Sequence, residues 1–337
     1  MKKCLRVGIN CTKRCNWQCV TCFYRYAPDF NTKYDKPLAE AMAEVRAAKA
    51  RGCDHALLVG WGEPALWPCL NEWIAGCGAL GMTTSMITNG SAQLDVYKKA
   101  RAAGMNHLHI SIHGINETLD AICGVKDAGS KQQRLLTWLM EEHWPWRMNM
   151  TVQQKNYKEM QQIAEMCLFY GCKHIISLGF LPLYEWNGPD KFHEVAVHPA
   201  TLRPYIEKVA ERVIKEKDVM FTIRYHPHCL LDRKYWKYIV NARYVHYDPW
   251  EWDYGHAGMD DATLWNEAQA FGRTQSQEGP PCCFCDMRMH CGGWNRVYMA
   301  GFAGAGIEPI KDGSISQVPG FYHDQNWANN EKGYFDE

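Results

Sequence analysis

Two groups of cysteines dominate the chemistry open to this sequence. The first, Cys15-Asn16-Trp17-Gln18-Cys19-Val20-Thr21-Cys22, sets three thiols at a three-then-two spacing directly after a short apolar run. Three thiolates so spaced can hold three irons of an iron-sulfur cube and leave the fourth iron without a protein ligand. Thiolates suit zinc as well. A structural zinc site takes a fourth Cys or His and is closed, so the thiols alone leave both metals open. The second group lies in Pro280-Pro281-Cys282-Cys283-Phe284-Cys285-Asp286-Met287-Arg288-Met289-His290-Cys291-Gly292-Gly293-Trp294-Asn295. The other nine of the sixteen cysteines are scattered and read as small buried hydrophobes.

From residue 4 to about 217, short apolar runs alternate with amphipathic stretches, the pattern of strand-helix units around a parallel sheet. Strands are expected at Leu5 to Asn10, His55 to Val59, Thr83 to Thr88, His107 to His113, Arg147 to Val152 and Lys173 to Gly179. Helices are expected at Pro37 to Arg51, Cys69 to Leu80, Leu94 to Ala103, Lys131 to Glu142, Tyr157 to Tyr170 and Thr201 to Lys217. Six strands are too few to close an eight-stranded barrel, so the fold class is α/β with an open, partial (β/α)6 barrel. Such folds bind ligands at the carboxyl ends of their strands. There the sequence places Gly60-Trp61-Gly62-Glu63-Pro64, Thr88-Asn89-Gly90, Ser111-Ile112-His113-Gly114 and Gly179-Phe180-Leu181-Pro182. Asn89-Gly90 also reads as an ordinary turn, and His113 as a hydrogen-bonded structural histidine.

In this order along the chain, the cysteine loop, GWGEP, TNG and SIHG resemble the radical S-adenosylmethionine (SAM) superfamily. The resemblance implies a [4Fe-4S] cluster on Cys15, Cys19 and Cys22 whose open iron binds SAM. It implies reductive cleavage of SAM to a 5'-deoxyadenosyl radical that takes hydrogen from a substrate, with electrons from a flavodoxin- or ferredoxin-type donor. It assigns SAM contacts to Gly60, Trp61, Gly62 and Glu63, to Asn89, and to Ser111 at the ribose. Thr21 stands where the family commonly has a bulky residue near the adenine, which points to Tyr24, and to Phe180, for that contact. Trp61 stands where the family usually has a glycine. Cys282, Cys285 and Cys291, followed by Gly292-Gly293, resemble the SPASM-type extensions that hold auxiliary clusters. Asn295 occupies the place of a further family cysteine, and an upstream GxC pair is missing. The implied reading is a shortened, twitch-like extension over residues 218–337, after a barrel domain over 1–217, with one auxiliary cluster. Its ligands come from Cys282, Cys283, Cys285 and Cys291, with Cys229 as a remote fourth; a zinc site using His290 is the alternative.

The chain has 337 residues, 47% hydrophobic and 22% charged, with formal net charge zero. That excludes a global basic coat for nucleic acid or an anionic membrane. No 18-residue apolar run appears and the amino terminus is too short for a signal peptide, so the expected location is cytoplasmic. The substrate reads as a peptide or small molecule. The first strand starts by residue 5, which leaves no preceding peptide-binding domain in this sequence. A rival reading, modification of a nucleoside or nucleic acid, rests on residues 224 to 254. There Tyr225, Tyr235, Trp236 and Tyr238 interleave with Arg224, Arg233, Lys234 and Lys237. His226 and His228 alternate there as a strand would place them, and read as a hydrogen-bonded pair. A non-catalytic iron-sulfur or zinc protein is the remaining alternative.

Overall fold

The computed structural model describes residues 6–26, 31–180, 188–240, 276–277, 279–288, 291 and 293–313. Eight parallel strands follow one another in chain order: β1 (Arg6–Asn10), β2 (His55–Val59), β3 (Thr83–Thr88), β4 (His107–Ser111), β5 (Trp146–Val152), β6 (His174–Gly179), β7 (Met220–Arg224) and β8 (Ile239–Val240). The sheet is open, with β1 and β8 at its two edges. The six expected strands are all present. The sheet also runs on past residue 217, where β7 covers what would otherwise be the bare edge of β6.

Helices α1 (Leu38–Arg51), α2 (Leu70–Ala79), α3 (Leu94–Ala102), α4 (Glu117–Cys123), α5 (Ala128–Glu141), α6 (Met160–Phe169), α7 (Gly188–Val195) and α8 (Pro199–Val213) fill the crossovers. Helix α1 shows why they form here. Ala41, Val45 and Ala48 recur at helical spacing and are buried, and Gly52 ends the helix in the left-handed region at φ 95°. Helix α8 buries Leu202, Ile206, Val209, Ala210 and Val213, the stripe that its sequence spacing predicts. A small carboxyl-terminal unit adds β9 (Ser276–Gln277), antiparallel to β10 (Trp294–Asn295), and helix α9 (Arg296–Gly301).

The two faces of the barrel sheet differ in chemistry. Val7, Ile9, Leu58, Met86, Leu108, Ile110, Met148, Met150, Ile175 and Ile223 belong to one apolar core with the helices. The alternate positions, turned inward, begin with a polar floor: Arg6, His55, His107, His109, Arg147 and His174, all buried. His55 bonds through Nδ1 to Thr83 Oγ1 at 2.8 Å and through Nε2 to Ser85 Oγ at 2.7 Å. Arg147 Nη2 donates to His109 Nδ1 at 2.8 Å, and His109 Nε2 lies 2.9 Å from His107 Nε2. A guanidinium can only donate, so His109 carries its proton on Nε2 and passes that bond to His107. Burial, and then the neighbouring guanidinium groups, hold His107, His109 and His174 well below the usual imidazole range. His55 is lowered by the same two causes.

Candidate functional site

The three amino-terminal cysteines occupy one loop between β1 and α1, at the carboxyl end of the strands. The loop is held from three sides. Gln18 and Val20 donate backbone hydrogen bonds to Cys123 and Ile122 at the end of α4, at 2.8 and 2.9 Å. Trp17 is buried against Leu119, Cys123 and Ala128, with Cys15 and Cys19 packed beside it. Asn31 Oδ1 accepts from the Cys15 amide at 3.0 Å.

On the third side the loop meets the turn after β2. Glu63 donates its amide to the Arg14 carbonyl at 2.7 Å. A Cβ on Gly62 would lie 2.1 Å from that carbonyl oxygen, and one on Gly60 would lie 2.0 Å from the oxygen of Gly62. The two backbones therefore touch where a side chain has no room, and only glycine fits. Trp61, between these glycines, projects outward. It is 36% exposed, with Lys13 Nζ 4.6 Å from its ring centroid and the Tyr24 ring 5.9 Å away.

Glu63, expected among the SAM contacts, turns inward and is buried. Its Oε1 accepts from Ala65 N at 3.0 Å and Thr88 Oγ1 at 2.6 Å, and its Oε2 accepts from Asn89 N at 2.7 Å. Burial raises its carboxyl above the usual range, and the three donors act against that rise. The side chain thus ties the second strand end to the third, while the Glu63 amide ties both to the cysteine loop through Arg14. Asn89 extends the tie. Its Nδ2 donates to Asn16 Oδ1 at 2.9 Å, and its Oδ1 accepts from Ser91 N and Ser91 Oγ. Gln132 on α5 donates to the carbonyls of Asn89 at 2.7 Å and Ser111 at 2.8 Å. Asn16, Ser91 and Gln132 escaped the sequence reading; a polar residue inside the CNWQC stretch was the one local signal for them. His113 is structural, as expected: its Nδ1 accepts from Thr151 N at 3.2 Å, and burial lowers it to about 4.

The thiols suit an iron-sulfur cube. Backbone amides of Asn16 and Trp17 bond to the Cys15 sulfur, and those of Tyr24 and Arg25 to the Cys22 sulfur. Burial pushes the Cys15 thiol up to about 12 and raises Cys19 well above the ordinary thiol range. Bound metal is what would hold such thiols deprotonated. No three His, Cys, Asp or Glu side chains among the described residues converge on a single ion.

The second cysteine group also draws together, with one exchange. Cys229, Cys282, Cys285 and Cys291 line one cavity with Pro227 and His228. Cys283 is exposed and does not line it. Adjacent side chains diverge, and Cys282 takes the inward position. The amides of Glu308, Ile310 and Gly293 bond to the sulfurs of Cys229, Cys285 and Cys291 respectively. Burial pushes Cys229 to about 12 and Cys291 to about 11, with the neighbouring thiols contributing. Amide donors on sulfur are what iron-sulfur sites use to tune the cluster. His290, Gly292, Leu181, Pro182 and the aromatic run from Arg243 to Tyr254 lie outside the described residues. Phe180 is buried in a separate apolar cluster with Phe192, Val195, Ala196, Trp294 and Tyr298.

A parallel α/β barrel with a three-thiol loop at its ligand-binding end defines a class of iron-sulfur protein. Residues 9–167 match the family model described as the radical SAM superfamily. The match spans a little under half of the chain, and members of that superfamily work with a [4Fe-4S] cluster and SAM. Among curated proteins it is 29% identical to the Fe-coproporphyrin III synthase of Methanosarcina barkeri, over 47% of this chain and 39% of that one. It is 28% identical to the PqqA peptide cyclase of Methylocella silvestris, over 40% and 36%. The matched region is thus less than two fifths of the length of either relative. Among solved structures, Streptococcus suis SuiB bound to S-adenosylmethionine aligns with TM-score 0.62 and 16% identity, over 93% of this chain and 77% of that one. Native anSMEcpe with bound AdoMet and a Kp18Cys peptide aligns with TM-score 0.61 and 14% identity, over 98% and 99%. At such identities these two show a shared fold. No helix among the described residues is long and apolar enough to cross a membrane.

Proposed function

We propose that this protein is a radical SAM enzyme that modifies a peptide, with Cys15, Cys19 and Cys22 holding the [4Fe-4S] cluster that binds SAM. One observation carries the reading: the backbone of Gly60 to Gly62 is pressed against the cysteine loop so closely that a Cβ at Gly62 would meet the Arg14 carbonyl at 2.1 Å. This leaves main-chain carbonyls beside the three thiols to receive the ammonium end of SAM. When bound, the cluster and SAM supply reductive cleavage of a sulfonium and a radical able to take hydrogen from an unactivated carbon, driven by an external flavodoxin- or ferredoxin-type donor. The chain's own residues bind and aim. Gly60, Trp61, Gly62, Asn89 and Ser111 bound the SAM pocket, Tyr24 is its adenine side, Phe180 being drawn into the apolar cluster of the extension, and Glu63 braces it from below.

Cys229, Cys282, Cys285 and Cys291 hold a second, fully ligated [4Fe-4S] cluster in this reading. A cluster with four protein thiolates has no iron to offer a substrate, so it serves in electron passage or in holding the extension. The peptide substrate draws on the relatives, which include a PqqA peptide cyclase and structures of SuiB and anSMEcpe with bound peptides. The nucleic-acid reading loses its footing in the 224–240 segment. Arg233 pairs with Asp312, Lys234 pairs with Glu211 at 3.0 Å, and Lys234 and Lys237 lie over Tyr235 and Tyr238. Its cations are engaged within the molecule.

The test is anaerobic reconstitution with iron and sulfide, followed by SAM and a reductant. Wild type is expected to hold about eight irons, from two four-iron cubes, and to release 5'-deoxyadenosine. The Cys15→Ala/Cys19→Ala/Cys22→Ala variant is expected to keep about half the iron and release none. A fully loaded wild type that leaves SAM intact would end this reading.

A further inference from the structure

The cavity shared by Cys229, Cys282, Cys285 and Cys291 has a wall that the thiols do not supply. Trp294 lines it too. Its position is set locally. Gly293, left-handed at φ 74°, turns the chain just after Cys291. Trp294 then pairs with Gln277 between β10 and β9, and Asn295 caps α9, its Oδ1 accepting from Val297 N at 2.9 Å. The stretch that presents the Cys291 thiol therefore also fixes the indole, which is 7% exposed.

The ring nitrogen of Trp294, Nε1, is buried and has no hydrogen-bond partner. An indole N–H is an obligate donor. Native structures seldom leave such a group unsatisfied without a functional reason. The residues around the ring fall into two groups. One is the apolar cluster of Phe180, Phe192, Val195, Ala196 and Tyr298, in which the sole side-chain acceptor, the Tyr298 hydroxyl, takes the Val197 amide. The other is the cavity, where the sulfurs are the acceptors. Those sulfurs already draw backbone donors from Glu308, Ile310 and Gly293, and Cys291 takes the His228 amide as well. An uncharged side-chain donor on the remaining wall completes the set.

We infer that Trp294 donates its indole N–H to a sulfur of the cluster held by these four cysteines and thereby raises that cluster's reduction potential. The inference rests on the second-cluster reading above. Reduction adds negative charge to the sulfurs, so a donor aimed at them stabilises the reduced form more than the oxidised one. Met287, Ile307 and Ile310 also line the cavity, and such apolar walls leave the interaction unscreened by water. Trp294 is in this role a positioning and tuning residue, and it touches no substrate.

The test is an EPR-monitored redox titration of the reconstituted full-length protein, as wild type and as Trp294→Phe, which keeps an aromatic ring and removes the donor. The same pair is titrated in the Cys15→Ala/Cys19→Ala/Cys22→Ala background, where the second cluster alone contributes. Trp294→Phe is expected to lower the midpoint of that cluster by about 59 mV, a tenfold change in a one-electron equilibrium, and to leave the amino-terminal cluster where it was. A second measurement needs no substitution at the indole. Protein grown with tryptophan labelled with nitrogen-15 at the indole is reduced and examined by pulsed EPR. A nitrogen-15 coupling to the second cluster is expected, since Trp294 is the only tryptophan among the described residues that line the cavity. If Trp294→Phe fails to hold iron, that coupling decides alone. An unchanged midpoint at full iron content, or no nitrogen-15 coupling, overturns the role of Trp294. Iron content separates the two readings: a wild type without the carboxyl-terminal iron, about four atoms, ends the second-cluster reading and this inference together, whereas full iron with an unmoved midpoint ends this inference alone.

Discussion

The two sulfur sites of this molecule are built in opposite ways. The amino-terminal thiols come from one stretch of eight residues, and the fold's work is to grip that stretch, through α4, Asn31 and the Gly60-to-Gly62 turn. The carboxyl-terminal thiols come from two distant segments. Cys229 follows β7, while Cys282, Cys285 and Cys291 belong to the extension, and the cavity exists only where the two meet. A local site leaves a corner free because its loop has no fourth ligand to give. On the proposed assignment, the site assembled across the fold would close on four thiolates and so fasten the extension to the barrel.

The largest effect that would break this comparison is at Cys229. Cys229→Ala is expected to remove about four irons while the amino-terminal cluster persists, read by iron analysis and by the low-temperature EPR of the reduced protein. Retention of all the iron would mean that Cys229 is no ligand and the second site is as local as the first. Next comes Gly62→Ala. Its Cβ would strike backbone on the facing loop, and overpacking of this kind costs about 1–3 kcal/mol. A lower melting temperature and loss of SAM retention in equilibrium dialysis are expected, with the carboxyl-terminal iron unchanged.

Glu63→Gln is gentler. The new amide would face the Asn89 N–H, now 2.7 Å from a carboxylate oxygen, and set donor against donor. The expected loss is about ten- to a hundredfold in SAM affinity at constant iron content. Unchanged SAM affinity would show that the brace does not position the pocket. Smallest of all, Cys283→Ala is expected to leave iron, melting temperature and SAM cleavage as they are, since the thiol is exposed. Lost iron there would restore it to the ligand set.

How much of this was legible in the sequence follows from the range of each interaction. The strand His55–Val59 stands where its apolar run predicts, because a parallel strand covered on both faces reads as a near-continuous apolar run. The thiol loop and the GWGEP turn were legible because their chemistry is contiguous. Strand β4 ends at Ser111 rather than His113, because His113 is drawn off to accept from Thr151. Strand β8 is two residues long and carries no pattern to read. Helix α4 is seven residues long and follows Asn116 in the left-handed region at φ 46°. The inward turn of Glu63 depends on Thr88 and Asn89, twenty-five and twenty-six residues away. Cys229 could be suspected and not assigned, since only folding carries it to the extension.

The floor of inward histidines has its own consequence. His55, His107, His109 and His174 are kept neutral in the folded state by burial and by Arg6, Arg147 and Arg224, whereas in the unfolded chain they take up protons below about pH 6.5. The folded form then binds fewer protons than the unfolded one, so stability falls as the solution is acidified. Each histidine adds up to about 1.4 kcal/mol per pH unit below that point. Urea midpoints at pH 7.5 and 5.5 would register the slope, and His55→Gln would flatten it. The acid limit of this protein is thus written at the end of the barrel farthest from its thiol loop, in residues that the proposed chemistry does not touch.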